Sequence, residues 1–132
     1  MIRAILSDTR RIAVVGASAR PERAGNYVFA FLVARGFDVV GVNPAMAGRT
    51  LHGRAVVGTL EEAGPLDMVD VFRASDAVRG VVDEAVRLGA RTVWTQLGVV
   101  DAVAGDVARA AGLRVVMGRC PMVEWRRLGL AT

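Results

Sequence analysis

Five short apolar runs recur along the chain, and each has the composition expected of a buried β-strand. They are rich in Val or Ile and apolar almost throughout: Ile12–Gly16, Phe37–Val42, Met68–Phe72, Arg91–Trp94 and Leu113–Met117. Strands with such continuous apolar runs are typical of parallel sheets, because helices cover both faces of those sheets. The pattern therefore predicts a largely parallel sheet of about five strands.

Segments with helical periodicity lie between these runs. Within Asp76–Leu88 the apolar side chains recur on one stripe, and the charged side chains fall largely off it. This pattern predicts an amphipathic helix that packs one face on the sheet. The near-continuous apolar run Tyr27–Ala34 predicts a second helix, buried within the fold.

Small polar residues and glycines mark the expected helix boundaries. We expect Ser75 or Asp76, and also Asp101, to cap the helices that follow them. Thr59–Glu62 resembles a capping box and predicts a short helix. Glycine favours the left-handed conformation that closes a helix. Three helices are expected to end at a glycine: Gly36, Gly89 and Gly112.

The alternation of strands and helices predicts an α/β fold. Right-handed βαβ units would build a single doubly wound sheet, and 132 residues suit one domain, 1–132. No uncharged stretch reaches the roughly 18 residues of a membrane helix. The first residues lack the apolar core of a signal peptide. We therefore expect a cytoplasmic protein with no membrane partner.

Charge and residue counts narrow the possible chemistry. The 17 basic residues are all arginine and the acidic residues number 13, which gives a net charge of +4. This charge suits a small anionic ligand as well as nucleic acid, and the lack of lysine excludes Schiff-base chemistry. The chain has one histidine, His52, and one cysteine, Cys120, and its carboxylates are scattered. We therefore expect no cluster of metal ligands and no internal disulfide. The turn at Ser18 lacks the second glycine of a nucleophile elbow, so we predict no catalytic residue.

The residues that follow the predicted strands are the candidates for ligand binding. In doubly wound sheets, ligands bind outside the carboxyl ends of the strands. The first loop, 16–23, contains Gly16, Ser18, Arg20 and Arg23 and precedes a helix. The N–H groups at a helix N-terminus suit a phosphate. This loop is the strongest local indication of a nucleotide site.

The second predicted strand ends differently from that of a nicotinamide-binding domain. Such domains usually have an acidic residue there to hold the ribose hydroxyls. This chain has Asn43 and Pro44, and Asp38 stands at the opposite end of the strand. Together with the arginines at the sheet edge, this difference favours a nucleotide with an additional phosphate over NAD.

Taken together and in order, these motifs resemble the small bacterial CoA-binding protein family. The same Rossmann-like domain begins the succinyl-CoA synthetase alpha subunit and the ADP-forming acyl-CoA synthetases. The matching segments span nearly the whole chain: Ile12–Ser18 with Pro21 and Arg23, Val42–Pro44, Val71–Arg73, Val93–Gly98, and Val115–Cys120 with Glu124. Two positions depart from the family pattern. Gly25-Asn26 stands where a serine is frequent, and Gly118 stands where an aspartate is common.

The resemblance implies that the ligand is CoA or acyl-CoA. In this family the glycine-serine loop and the following arginine hold phosphates, and the Asn-Pro turn and the Phe-Arg pair border the adenosine. The implied contact residues are Gly16, Ala17, Ser18, Arg23, Asn43, Pro44, Phe72 and Arg73, with Val78 as a wall for the adenine. Arg20, Gln96 and Gly98 lie at the same predicted edge, and we add them to the expected site.

Three functions are compatible with these observations. The synthetases that share the domain need a phosphohistidine domain and an ATP-grasp partner, and this chain contains neither. The resemblance therefore favours a stand-alone CoA or acyl-CoA binding protein. A small enzyme acting on a CoA or nucleotide substrate, through Ser18, Arg73 or Cys120, is a second hypothesis. A regulatory or nucleic-acid interaction protein is a third, although aromatic residues make up only 5% of the chain. The oligomeric state stays open.

Overall fold

A seven-stranded sheet lies between two layers of helices in the computed structural model, which describes residues 1–130. The strands are β1 Arg11–Val15, β2 Asp38–Val42, β3 Thr50–Leu51, β4 Arg54–Val57, β5 Met68–Val71, β6 Thr92–Thr95 and β7 Arg114–Val116. The helices are α1 Ile2–Asp8, α2 Ala24–Ala34, α3 Val78–Arg87, α4 Ala102–Ala110 and α5 Pro121–Arg127, with 3-10 turns at Pro44–Met46, Glu61–Ala63 and Ser75–Ala77.

The strand order is β3-β4-β2-β1-β5-β6-β7. All neighbours pair in parallel except β3 and β4, which are antiparallel. The predicted doubly wound, largely parallel sheet is therefore confirmed. Val14 of β1 pairs with Gly41 of β2 on one side and with Asp70 of β5 on the other. The strand order reverses between β1 and β5, and this is the switch point at which such sheets bind ligands.

Alternate residues of the strands build two separate cores. Ala13 and Val15 face the side covered by α3 and α4. Ile12 and Val14 face the side covered by α1, α2 and α5. Trp94 belongs to this second core and is fully buried, as its place in a predicted strand indicates. The central strands are apolar on both faces because each face has its own helical layer.

Several predicted boundaries hold and one is wrong. Asp101 caps α4, and its carboxylate accepts a hydrogen bond from the N–H of Ala104 at 3.0 Å. Thr59 accepts a hydrogen bond from the N–H of Glu62 at 3.3 Å, as the capping box predicts. Three glycines follow helices with positive φ as expected: Gly36, Gly89 and Gly112. Ser75 and Asp76 do not cap α3, because a 3-10 turn begins at Ser75 and shifts the cap of α3 to Ala77.

Four elements were not predicted from the sequence: α1, β3, β4 and α5. The strands β3 and β4 form a short hairpin at the edge of the sheet, and His52 lies in its turn with a φ of 49°. Within residues 1–130, no helix is long and apolar enough to cross a membrane.

Candidate functional site

The loops that follow β1 and β5 touch each other at the switch point. Gly16, the first residue after β1, has a φ of 96°. A Cβ atom at this position would lie 3.2 Å from Cγ of Arg73 and 3.2 Å from the carbonyl carbon of Phe72. Glycine therefore permits both the turn and the contact between the loops.

The N-terminus of α2 packs directly on this turn. A Cβ atom on Gly25 would lie 2.2 Å from the carbonyl oxygen of Gly16, so only glycine fits there. Arg23 occupies the N-cap position, and its side chain makes no capping hydrogen bond. The first N–H groups of α2 lack a side-chain acceptor, and the positive end of the helix dipole is uncompensated. Both features favour an anion at this place.

A chain of hydrogen bonds shapes the first loop. The Ser18 hydroxyl accepts a bond from the N–H of Arg20 at 3.1 Å, and its own proton remains available to a ligand. The Asn26 side chain, which is 6% exposed, donates to the Ser18 carbonyl at 2.9 Å. Nε2 of His52 lies 3.0 Å from Oδ1 of Asn26. The β3–β4 hairpin thus supports the loop through two side chains.

Asn43 joins the first loop to the end of β2. Its Nδ2 donates to the Ala17 carbonyl at 2.8 Å, and its Oδ1 accepts from the N–H of Ala45 at 2.9 Å. An amide can do both, whereas a carboxylate only accepts. This double role gives a structural reason for asparagine at the end of β2.

A cavity of about 380 Å³ opens on the α3 side of the switch point, and we call it the switch-point cavity. Its lining residues are Val15, Gly16, Val42, Asn43, Pro44, Gly58, Thr59, Leu60, Arg73, Val81 and Glu84. Four of the predicted site residues are therefore brought together in its wall: Gly16, Asn43, Pro44 and Arg73. The loops after β1, β2, β4 and β5 all contribute.

Five other predicted residues lie on the loops after β1 and β5 but do not line this cavity. Arg20 and Arg23 are exposed on the first loop, and Ser18 is half-buried there. Ala17 is buried and packs in the second core. Phe72 packs on the second core and so lies on the opposite face from the cavity.

The remaining predicted residues lie farther along the sheet edge. Val78 is fully buried in the first core, and Val81, one turn later on α3, lines the cavity instead. Gln96 is 7% exposed, and its Oε1 has no hydrogen-bond partner. Gly98 is exposed, and its carbonyl lies 3.4 Å from the Ser75 hydroxyl, which also accepts a bond from the N–H of Val100 at 2.9 Å. Their roles in binding remain predictions.

The arginines at this edge have different environments. Arg20 pairs with Glu22 at 3.4 Å, and Arg119 pairs with Glu124 at 3.2 Å beside a different cavity. Within residues 1–130, no carboxylate lies within salt-bridge distance of Arg23 or Arg73. These two guanidinium groups are available to an anionic ligand.

Sequence reasoning missed the part of the wall formed by β4 and α3. Gly58, Thr59 and Leu60 follow β4, which was not predicted as a strand. Glu84 lies one turn after Val81 on α3, and its carboxylate is held by Arg87 at 2.6 Å. The helical spacing of Val78, Val81 and Glu84 was a usable signal, because residues three apart share a helix face.

Two carboxylates outside the lining of the switch-point cavity have strongly different surroundings. Burial raises the pKa of Asp70 well above its ordinary value, and neither of its oxygens has a hydrogen-bond partner. Hydrogen bonding to Arg127, aided by the charges of Arg127 and Arg119, lowers the pKa of Glu124. Asp70 therefore favours the protonated form and Glu124 the ionised form.

The groups that an enzyme hypothesis would use are placed as follows. Cys120 is 3% exposed at the start of α5, and Arg73 is exposed in the wall of the cavity. Ser18 has no histidine partner among its hydrogen bonds, which join it to Arg20 and Asn26. Among residues 1–130, no cluster of three or more His, Cys, Asp or Glu side chains is arranged to hold a metal ion.

Comparison with known proteins supports the family resemblance. The profile of the CoA binding domain family matches residues 10–126. The chain is 36% identical over 119 residues to the uncharacterized protein YneT of Bacillus subtilis (strain 168), covering 90% of this chain and 87% of YneT. Cell-free ID.343 from Thermus thermophilus has a TM-score of 0.91 at 38% identity, with 96% of each chain covered. A hypothetical protein from Pyrococcus horikoshii OT3 has a TM-score of 0.90 at 35% identity, with 98% of this chain and 90% of that chain covered.

Proposed function

Because the chain belongs to the CoA binding domain family, we propose that it is a stand-alone protein that binds CoA or acyl-CoA at the switch point. The observation that carries the proposal is the switch-point cavity. Two loops that the sequence predicts as nucleotide-binding meet in its wall, and Arg73 lies there beyond salt-bridge distance of every carboxylate in the described part of the chain, 1–130.

The cavity suits the nucleoside part of the ligand. A volume of about 380 Å³ lies at the lower end of small-molecule sites, which span roughly 300–1,000 Å³. Val15, Val42, Leu60 and Val81 provide apolar surface for a base. The longer remainder of CoA would follow the open edge of the sheet past the first loop.

The first loop suits the phosphates. The start of α2 presents N–H groups, Ser18 offers a hydroxyl proton, and Arg23 offers an unpaired guanidinium group. Charge-assisted hydrogen bonds from these groups would be stronger than neutral ones. We propose Arg23 and Arg73 as the principal charged contacts, with no residue of this chain assigned to catalysis.

Titration calorimetry with CoA, 3′-dephospho-CoA, NAD and NADP tests the ligand. We expect CoA to bind at least about tenfold more tightly than NAD, NADP or dephospho-CoA, because one charge-assisted contact accounts for roughly that factor. Equal or tighter binding of NAD would overturn the proposal. Native mass spectrometry of the purified protein would identify any acyl group that accompanies the ligand.

Two matched variants test the site. Arg73→Gln should weaken CoA binding by roughly ten- to a hundredfold through loss of a phosphate contact. Arg109→Gln is the control, because Arg109 is also an exposed arginine. It lies in the last turn of α4, at the end of the sheet where the strands begin. Equal affinities in the two variants would remove Arg73 from the site.

A further inference from the structure

A third cavity opens beside the starts of β1 and β2, at the opposite ends of these strands from the switch point. Its volume is about 710 Å³, and we call it the amino-edge cavity. Its walls come from the ends of α1 and α2 and from α5. The side chains used in the argument below are Thr9, Arg10, Arg35, Phe37, Asp38 and Trp125.

Three unpaired polar atoms belong to residues of this wall. Oγ1 of Thr9, Nε of Arg35 and Nε1 of Trp125 are buried without a hydrogen-bond partner, and Thr9 is only 5% exposed. They are half of the six such side-chain atoms found in residues 1–130. The guanidinium and indole N–H groups can only donate, and a hydroxyl can also donate. A ligand that satisfies them must supply acceptors.

The charge of the wall favours an anion. Arg10 and Arg35 contribute two guanidinium groups. Asp38 is the acidic residue of the wall, but Arg11 holds its carboxylate at 2.8 Å and Arg54 lies 3.8 Å from it. Its negative charge is therefore offset from outside the cavity.

Aromatic rings form the apolar part of the wall. The rings of Phe37 and Trp125 meet edge to face, with centroids 5.8 Å apart. The guanidinium carbon of Arg35 lies 4.9 Å from the centroid of the Phe31 ring, and both residues are half-buried. A charge-assisted hydrogen bond to a ligand can replace this cation–π contact. A flat apolar body can pack on these rings while its charged end reaches Arg35.

We propose that the amino-edge cavity binds a small aromatic carboxylic acid. The carboxylate accepts hydrogen bonds from Arg35 and Trp125, and the ring of the ligand packs on Phe37. The three unpaired atoms are covered in the ligand-free conformation, so Arg35 must move away from Phe31 as the acid enters. The inference does not rest on the proposed CoA site, which lies at the other edge of the sheet.

Phenylacetate is the probe, and 2-phenylethanol is its neutral counterpart. The chain has two tryptophans, and their indole N–H signals can be followed in ¹H–¹⁵N spectra of the whole protein. Trp94 already donates to the Arg119 carbonyl at 2.7 Å, so its signal should stay in place. The Trp125 signal, which Trp125→Phe removes, should shift saturably with phenylacetate, equally with and without CoA.

Arg35→Gln and Arg126→Gln form the matched pair. Both arginines lie over the Phe31 ring, at 4.9 Å and 5.4 Å, but only Arg35 lines the cavity. Arg35→Gln should weaken phenylacetate binding roughly tenfold or more, because it removes a charge-assisted hydrogen bond. Arg126→Gln should leave the affinity within about twofold, since Arg126 is exposed to screening by salt and does not line the cavity.

Three results would overturn the proposal. The first is the absence of a saturable Trp125 shift at millimolar phenylacetate. The second is equal binding of 2-phenylethanol, which would show that no anion is recognised. The third is an equal loss of affinity in the two arginine variants, which would reduce the effect to general charge. Failure of CoA to bind would affect only the switch-point site.

Discussion

The two ends of the central strand β1 are held by different kinds of polar group. At its start, Asp67 accepts hydrogen bonds from the N–H groups of Arg10 and Arg11 at 3.0 and 2.9 Å, and the Arg11 guanidinium pairs with Asp38 at 2.8 Å. At its end, the amide of Asn43 fastens the loop without any charge. The segments beside β1 thus bring carboxylates to its start and an uncharged amide to its end.

This contrast shows why the net charge of +4 says little about the binding surface. Arginine alone does not make an anion site, because a nearby carboxylate can offset it, as Asp38 does for Arg11. The structural support of a loop decides how much charge remains available. The first loop is held by the amides of Asn26 and Asn43, and Arg23 on this loop has no carboxylate within salt-bridge distance among residues 1–130, whereas Arg20 pairs with Glu22.

The largest expected effect comes from the end of β1. Gly25→Ala places a methyl group 2.2 Å from the Gly16 carbonyl oxygen, so α2 must shift and the first loop must open. We expect a loss of about 3 kcal/mol in the free energy of unfolding, typical of overpacking, together with loss of CoA binding. Urea denaturation and calorimetry measure the two effects.

Gly80→Ala is the control for this substitution. Gly80 lies within α3, and a Cβ atom there would meet nothing within 4 Å. Alanine should stabilise this helix by about 0.5–1 kcal/mol. If Gly25→Ala were as stable as Gly80→Ala, the close packing of α2 on the loop would be wrong.

The next effect comes from the start of β1. Asp67→Ala removes the acceptor of two backbone N–H groups and should cost about 2 kcal/mol of unfolding free energy. CoA affinity should stay within about twofold, because the change lies at the opposite end of the strand. Asp106→Ala is the control, since its exposed pair with Arg109 at 3.5 Å contributes little. A large loss of CoA affinity in Asp67→Ala would show that the two ends are coupled.

Asp70 adds a third case to the comparison of the two ends of β1. It is a carboxylate in the strand beside β1, and within residues 1–130 it has neither a cation nor a hydrogen-bond partner. Burial raises its pKa in the folded state above the unfolded value, near 3.8. Its contribution to stability is therefore full below that value and is lost as the pH rises through the folded pKa. The unfolding free energy should fall above pH 4 by at most about 1.4 kcal/mol per pH unit.

Asp70→Asn should remove this slope, because an amide does not titrate in this range. The carboxylates with lowered pKa, Asp8 and Glu124, act in the opposite direction and lose their contribution only as the pH falls through their folded pKa values. Urea denaturation of both proteins at several pH values between 4.5 and 8 separates the contribution of Asp70 from those of Asp8 and Glu124. An unchanged slope in Asp70→Asn would contradict the assignment.

The smallest expected effect concerns the hydrogen bond through which His52 of the β3–β4 hairpin supports Asn26 and the first loop. His52→Asn keeps a residue that tolerates the φ of 49°, but its side chain is too short to reach Asn26. Loss of this one hydrogen bond should weaken CoA binding about threefold, with little change in stability. A fully retained affinity would show that Asn26 holds the loop without the hairpin.

The sequence predicted the fold well where its signals were continuous. Runs such as Met68–Phe72 were long and apolar enough to identify, and the actual strand is Met68–Val71. The hairpin was not predicted because β3 has only two residues and β4 has only four, the first of which is the charged Arg54. Helix α1 was not predicted from the sequence, because only two of its seven residues, Ile5 and Leu6, are buried and its apolar face is short.

The site was predicted in part, because the sequence indicates where strands end but not which face each side chain takes. Gly16, Asn43 and Arg73 follow predicted strands, and the topology of the sheet brings their backbones together. The orientation of each side chain depends on the exact register, and a shift of one residue changes the face. Phe72 and Arg73 therefore lie on opposite faces of the sheet, and Asp70 is buried in a strand whose sequence gives no sign of the missing partner.

The reversal of strand order also constrains how the sheet can assemble during synthesis. β1 can pair with β2 early, but its other neighbour begins at Met68, after the hairpin has been made. Until then one edge of the most apolar strand has no partner, and such edges are prone to aggregation in partly folded chains. Closure of β5 onto β1 is a long-range step of the kind that slows folding. The contact of Gly16 with Phe72 and Arg73 needs that step, so the proposed CoA site cannot form before β5 has paired with β1.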